Sequence, residues 1–158
     1  MGHSVDAAIA GAVRGDRRAL EQLLATLRPL VTRYCRARIG RRAGTFAAAD
    51  TIAVDAMRAV LAALPTYRQQ PFLGFVHKLI APLVRAVGRT EAGPWLLKEL
   101  TEAQREVIVL RVAVGLSAEE TAEALGSTAA TIRIAQHRAL NRMRKASTPI
   151  ESLGCSSL

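Results

Sequence analysis

The stretch GLSAEETAEALGSTAATIRIAQHRALNRMRK, residues 115–145, constrains the fold more than any other part of the chain. Ser117 and Glu120 stand three apart at the head of an apolar-periodic run, the spacing of a capping box. Ala122 and Leu125 then point to a core. Gly126 offers the left-handed backbone that a tight turn between two helices requires. Ser127 follows as a cap for the next helix. A capped helix, a glycine turn and a second capped helix predict a helix-turn-helix.

The second helix is expected over Thr128–Lys145. It holds six basic residues, counting His137, and no acid. At 100° per residue, Ile132, Ala135, Gln136, Ala139 and Met143 fall in one sector. Ala130, Arg133, Ile134, His137, Arg138 and Asn141 fall on the opposite half. One side is largely small and apolar, the other polar and basic. A helix in the major groove needs that division, because its N-terminal residues reach base edges while later basic residues reach phosphates. The candidate DNA-contacting residues are Ser127, Thr128, Thr131, Arg133, Ile134, His137, Arg138 and Arg142. An ordinary solvated helix with a basic end would share the charge. It would not require the cap, glycine and second cap before it.

The rest of the chain also reads as helical. Half of its 158 residues are hydrophobic but only 4% are aromatic, so Leu, Val, Ile and Ala must build the core, which favours helices. Val5, Ile9, Ala12 and Val13 form a first helical face that stops at Gly15. Asp16 caps a second helix with the face Leu20, Leu23, Leu24, Leu27, Val31 and Tyr34, closed by Gly40 and interrupted by Pro29. Helices follow over Ala47–Leu64 and Phe72–Val87, with the loop PTYRQQP between them. Pro82 predicts a kink or break near residues 79–82. After Pro94 come Trp95–Leu100, Glu102–Val114 and Ala118–Leu125. The fold class is therefore all-α, two small helical domains: 1–90, then 94–146 carrying the helix-turn-helix, and a flexible tail over 147–158. The linker Arg89–Gly93 spans at most about 17 Å. Trp95–Leu100 is too short to stand alone and needs tertiary cover, with Trp95 as its core anchor. Close packing of the two domains follows.

Net charge is +9, which favours polyanions or acidic protein surfaces. Residues 1–92 carry 14 Lys and Arg against 6 Asp and Glu, and residues 93–158 carry 8 against 7. The excess thus lies outside the helix-turn-helix, and the cluster Arg33, Arg36, Arg38, Arg41 and Arg42 is its densest part. That cluster is either a solvated helix end or a surface for phosphates or an acidic partner. Two cysteines make no disulfide framework, and no apolar run reaches membrane-spanning length. With no signal-peptide pattern, the expected compartment is the cytoplasm. His3, His77 and His137 lack companions at ligand spacing, so no metal or other cofactor is expected. No nucleophile–base pair stands out, so no catalytic residue is named and an enzyme is not expected.

LTEAQREVIVLRVAVGLSAEETAEALGSTAATIRIAQHRALNRMRK, residues 100–145, resembles the C-terminal DNA-binding domain of extracytoplasmic-function (ECF) sigma factors. The resemblance rests on the QRE run, the GLS turn and the RAL ending with its basic tail, and Thr121 stands where the family usually has Ile. AVRGDRRALEQLLATLRPLVTRYCRARIG is similar to the family's opening helices, and ALPTYRQQPFLGFVHKL to the segment before its promoter-melting helix. ADTIAV, residues 49–54, aligns with the acidic motif that docks on the polymerase clamp. There only Asp50 survives, as the remaining core-polymerase docking residue, and Ala49, Ala53 and Val54 replace the others. Phe75 takes the usual Trp position, and Pro82 and Ala86 replace base-reading polar residues. The resemblance implies a transcription initiation factor whose partners are double-stranded promoter DNA, core RNA polymerase (weakly held) and an anti-sigma factor. The alternative is a sigma-like interaction protein that no longer initiates and acts by binding an anti-sigma factor or DNA alone.

Overall fold

The structure, a computed structural model, describes residues 3–87 and 95–147. The elements run α1 (His3–Val13), α2 (Arg17–Ile39), α3 (Ala47–Ala63), a 3-10 turn (Leu64–Thr66), α4 (Phe72–Ala86), α5 (Trp95–Lys98), α6 (Glu102–Ile108), a π-helical turn (Val109–Val114), α7 (Ala118–Leu125) and α8 (Ala129–Ser147). The fold is all-α, as expected. The linker Arg89–Gly93 lies outside the described residues, as do residues 148–158 of the tail and the side chain of Trp95.

The spine is α2. Its N-cap Asp16 accepts the N–H of Arg18 at 2.9 Å and of Ala19 at 3.2 Å. Leu23, Leu27, Val31 and Tyr34 recur at steps of three and four and are buried together. Gly40 closes the helix at φ 75°. On one side α3 packs against it through Ala49, Ala53, Ala56 and Val60. Alanines let two helices approach closely, since no long side chain holds them apart.

That packing places two of the residues aligned with the docking motif. Ala49 is 0% exposed and Ala53 5% exposed, so both are core residues. Asp50, Thr51 and Val54 reach the surface, and Val54 is 50% exposed.

The break expected at Pro82 does not form. The helix α4 runs from Phe72 to Ala86 with Pro82 inside it, and α2 likewise runs through Pro29. Both prolines are exposed. The carbonyl that each leaves without an intrahelical donor therefore faces water, which satisfies it.

In the C-terminal half, Thr101 and Gln104 close a capping box at the start of α6. The sequence-predicted helix Glu102–Val114 changes character midway. From Val109 it widens into a π turn, and the Gly115 N–H bonds back five residues to the Leu110 carbonyl at 3.1 Å.

The two halves pack directly on one another. Helix α4 lies on α7, and α2 lies on the π turn. Tyr34, Phe72 and Phe75 share one buried core with Val109, Leu110 and Val114.

The arginine cluster is drawn into this packing. Arg36 forks onto Asp50 at 2.6 and 2.9 Å. Arg33 donates to the Val114 carbonyl at 3.3 Å and Arg42 to the Val87 carbonyl at 2.9 Å. Arg38 pairs with Glu102 and, at 3.4 Å, with Glu106. Arg41 sets its guanidinium 4.9 Å over the Phe46 ring. Every member of the cluster thus has a partner within the fold, while Arg33, Arg36 and Arg41 remain exposed.

The burial pattern of α3 gives a direct check. Ala49→Asp should destabilise the chain by about 3 kcal/mol or more, because it buries a charge with no partner. Val54→Asp should stay within about 0.5 kcal/mol. Urea denaturation of the two variants measures both.

Candidate nucleic-acid interface

Local chemistry fixes the helix-turn-helix. Ser117 accepts the Glu120 N–H at 3.0 Å while the Glu120 carboxylate accepts the Ser117 N–H at 2.8 Å, so the expected capping box is present. The turn follows at Gly126, whose φ of 63° and ψ of 42° lie in the left-handed region. The next cap falls one residue later than expected. Thr128 Oγ1, and not Ser127, accepts the Thr131 N–H at 3.2 Å, and the Thr128 carbonyl receives the Ile132 N–H at 3.0 Å. Ser127 is an exposed turn residue.

Helix α8 divides as its periodicity predicts. Ile132 and Ala139 are buried, with Ala135, Gln136 and Met143 partly buried beside them. Gln136 accepts a hydrogen bond from Arg111 at 2.8 Å, and Arg111 also donates to the Leu116 carbonyl at 2.5 Å. These bonds tie the helix to the π turn and to the loop before α7. Since α8 packs on α5, α6 and α7, its outer side is left open.

The structure brings the candidate residues onto that open side. Thr128, Thr131, Arg133, Ile134, His137, Arg138 and Arg142 are all exposed. Ile134 is 53% exposed, a large apolar side chain presented to solvent. Thr128 and Thr131 share a hydroxyl contact at 2.9 Å, and His137 bonds Asn141 at 2.9 Å. Arg133 pairs with Glu119 of α7 at 2.5 Å. Backbone N–H donation and the Arg133 guanidinium hold the Glu119 carboxyl below the usual range. From Thr131 to Arg142 the row covers roughly 16 Å at the helical rise, about the reach of a groove crossing.

Asp50, the expected docking residue, stands on the other half of the protein, with its carboxylate forked by Arg36. It borders a groove of about 560 Å³ between α2 and α3, lined also by Leu24, Val54, Met57, Arg58 and Leu61. Sequence reasoning missed Val54, Met57 and Leu61 as a surface. They sit at steps of three and four on α3, so the periodicity was there to be read.

The arrangement defines a helix-turn-helix protein whose recognition helix is backed by an all-helical partner half. The pattern of the family described as Sigma-70, region 4 matches residues 96–145. The chain is 42% identical to the ECF RNA polymerase sigma factor SigD of Mycobacterium tuberculosis (strain ATCC 25618 / H37Rv), over 91% of this chain and 84% of that one. It is 39% identical to the ECF RNA polymerase sigma factor ShbA of Streptomyces griseus, over 89% of this chain and 93% of that one. Its fold is similar to that of CnrH, solved in complex with the cytosolic domain of CnrY, with a TM-score of 0.74 at 24% identity, covering 92% and 99% of the two chains. The chain belongs to the ECF RNA polymerase sigma factors.

Thr121, where the family resemblance leads one to expect Ile, is 0% exposed, and its hydroxyl has no hydrogen-bond partner among the described residues. Thr121→Val keeps the shape and removes the stranded hydroxyl. It should stabilise the chain by about 1 kcal/mol and leave DNA affinity unchanged. Thermal denaturation with a parallel DNA titration tests both expectations.

Proposed function

We propose that this chain works as a transcription initiation factor in which residues 94–146 read one element of double-stranded promoter DNA. Residues 1–90 then dock on core RNA polymerase and meet the DNA to be opened. The observation that carries the reading is the open, basic, threonine-headed side of α8. Thr128, Thr131, Arg133 and Ile134 meet base edges near the helix start, with His137 and Arg138 following. Arg142 contacts phosphate. The chain acts by binding and contributes no catalysis of its own. Among the described residues no helix is long and apolar enough to cross a membrane.

The groove between α2 and α3 is the proposed docking surface for polymerase, with Asp50 and Val54 on its wall. The same groove is the candidate surface for an anti-sigma factor. One argument for a chain that no longer initiates is weaker, because Pro82 leaves α4 unbroken. Relatives 42% and 39% identical over most of the chain are ECF RNA polymerase sigma factors, which supports the reading as an active initiation factor.

Core polymerase mixed with the protein should form a stable complex and give promoter-dependent transcripts. Failure to bind core polymerase would sink the proposal. On DNA alone, Arg133→Ala should cost about 1–3 kcal/mol of binding if it meets a base edge. Arg142→Ala should weaken all sequences alike and reduce the salt slope by about 1. Glu119→Gln, which frees Arg133 and removes a negative charge from the interface, should tighten binding a few-fold. Anisotropy titrations at several salt concentrations separate these effects.

A further inference from the structure

The residue that joins the two halves is Glu106. It comes from α6 and is 8% exposed, yet its carboxylate is shared by side chains of the other half. Tyr34 of α2 donates to Oε1 at 2.6 Å. His77 of α4 meets the same oxygen at 2.6 Å. Arg38 of α2, itself 7% exposed, stands 3.4 Å from Oε2. Arg38 also pairs with Glu102, one turn earlier on α6. Tyr34 and His77 further meet edge to face, with centroids 5.9 Å apart.

A second contact closes the halves some distance along α4. The Glu123 carboxylate of α7 accepts the Leu73 N–H at 3.0 Å. That N–H lies in the first turn of α4, where no intrahelical acceptor exists. Beside it, a Cβ at Gly74 would stand 3.0 Å from the Glu123 carbonyl oxygen, so α4 and α7 approach backbone to backbone. Phe72 to Val76 are all buried here.

We propose that the Glu106 cluster is a latch between the halves, which in the free chain keeps the first turns of α4 covered by α7 and exposes them on release. The cluster favours an all-or-none response. A buried carboxylate that loses some of its partners is stranded, so a partly broken cluster is worse than either a complete one or a fully solvated one. The consequence for promoter opening rests on the reading of residues 63–79 given above. In that reading the covered face belongs to the segment that leads into the melting helix, and the latch holds the factor inactive until a partner opens it.

The Leu73 amide reports the latch directly, because Glu123 is its protection. Hydrogen exchange is followed by NMR on the full free chain, with no DNA or polymerase present, in the wild type, Glu106→Gln and Tyr34→Phe. Leu73 should be protected in the wild type and should exchange about tenfold faster or more in Glu106→Gln. Tyr34→Phe should show a smaller acceleration, and it decides the question if Glu106→Gln does not fold. The Leu27 and Ile132 amides, each inside one half, should keep their rates. An unprotected Leu73 in the wild type, or unchanged Leu73 exchange in a folded variant, overturns the latch. Promoter-dependent transcription at limiting protein should then rise in Glu106→Gln. Faster exchange without that rise would overturn the gating of promoter opening and leave DNA recognition by α8 untouched.

Discussion

One carboxylate decides how this molecule is assembled. Burial pushes the Glu106 carboxyl up, but hydrogen bonds from His77 and Tyr34 and the charge of Arg38 outweigh it and hold the group below the usual range. The same contact, with burial as the larger cause, pushes the Tyr34 hydroxyl up, so it stays a donor at any physiological pH. The sense of both shifts is consistent with an ionised acceptor and a protonated donor. A buried ion pair of this kind adds little to stability by itself, since desolvation offsets attraction. What it gives is definition, because apolar faces such as Val109 and Leu110 could slide against α2, whereas Glu106 has one register in which its acceptors are filled.

The rest of the interface follows from that register. With α6 fixed on α2, the π turn falls against the C-terminal third of α2, where Arg33 donates to the Val114 carbonyl. The wider turn displaces the chain so that Gly115, at φ 90°, can redirect it into α7. That brings Glu123 to the head of α4 and leaves α8 facing outward. The basic outer side of α8 and the α2–α3 groove are therefore both open in this arrangement, while the start of α4 is not.

Local chemistry was legible in the sequence and long-range chemistry was not. Asp16, Ser117, Glu120, Gly40 and Gly126 act within a few residues of themselves, and each caps or turns the chain where its type demands. The same logic placed the second cap at Ser127, one residue early, since Ser127 and Thr128 are both competent and only the helix phase chooses between them. The outward row on α8 was legible because its two faces differ in character. On α3 they do not: nearly every position from Ala47 to Ala63 is small or apolar, so the burial of Ala49 and Ala53 depended on where α2 lies. Proline was overread for a related reason, as its penalty is smallest where its freed carbonyl meets water. The roles of Glu106 and His77 depend on partners 29 to 72 residues away and leave no periodic trace.

The charge of the N-terminal half shows the same limit in a form that bears on function. An excess of arginine over residues 33–42 reads as a polyanion surface, yet most of these guanidiniums meet acceptors or a ring within the fold. Arginine suits such work because its planar fork can hold a carboxylate or several carbonyls while still charged. Arg33 and Arg38 reach across to the other half, whereas Arg36, Arg41 and Arg42 find their partners within residues 1–90. Of the basic residues in the C-terminal half, by contrast, Arg138 and Arg142 stand exposed on the open side of α8. A nearly neutral half thus carries the exposed basic row of α8, while the strongly basic half commits Arg33 and Arg38 to the contact with its partner and ties Arg36, Arg41 and Arg42 within itself.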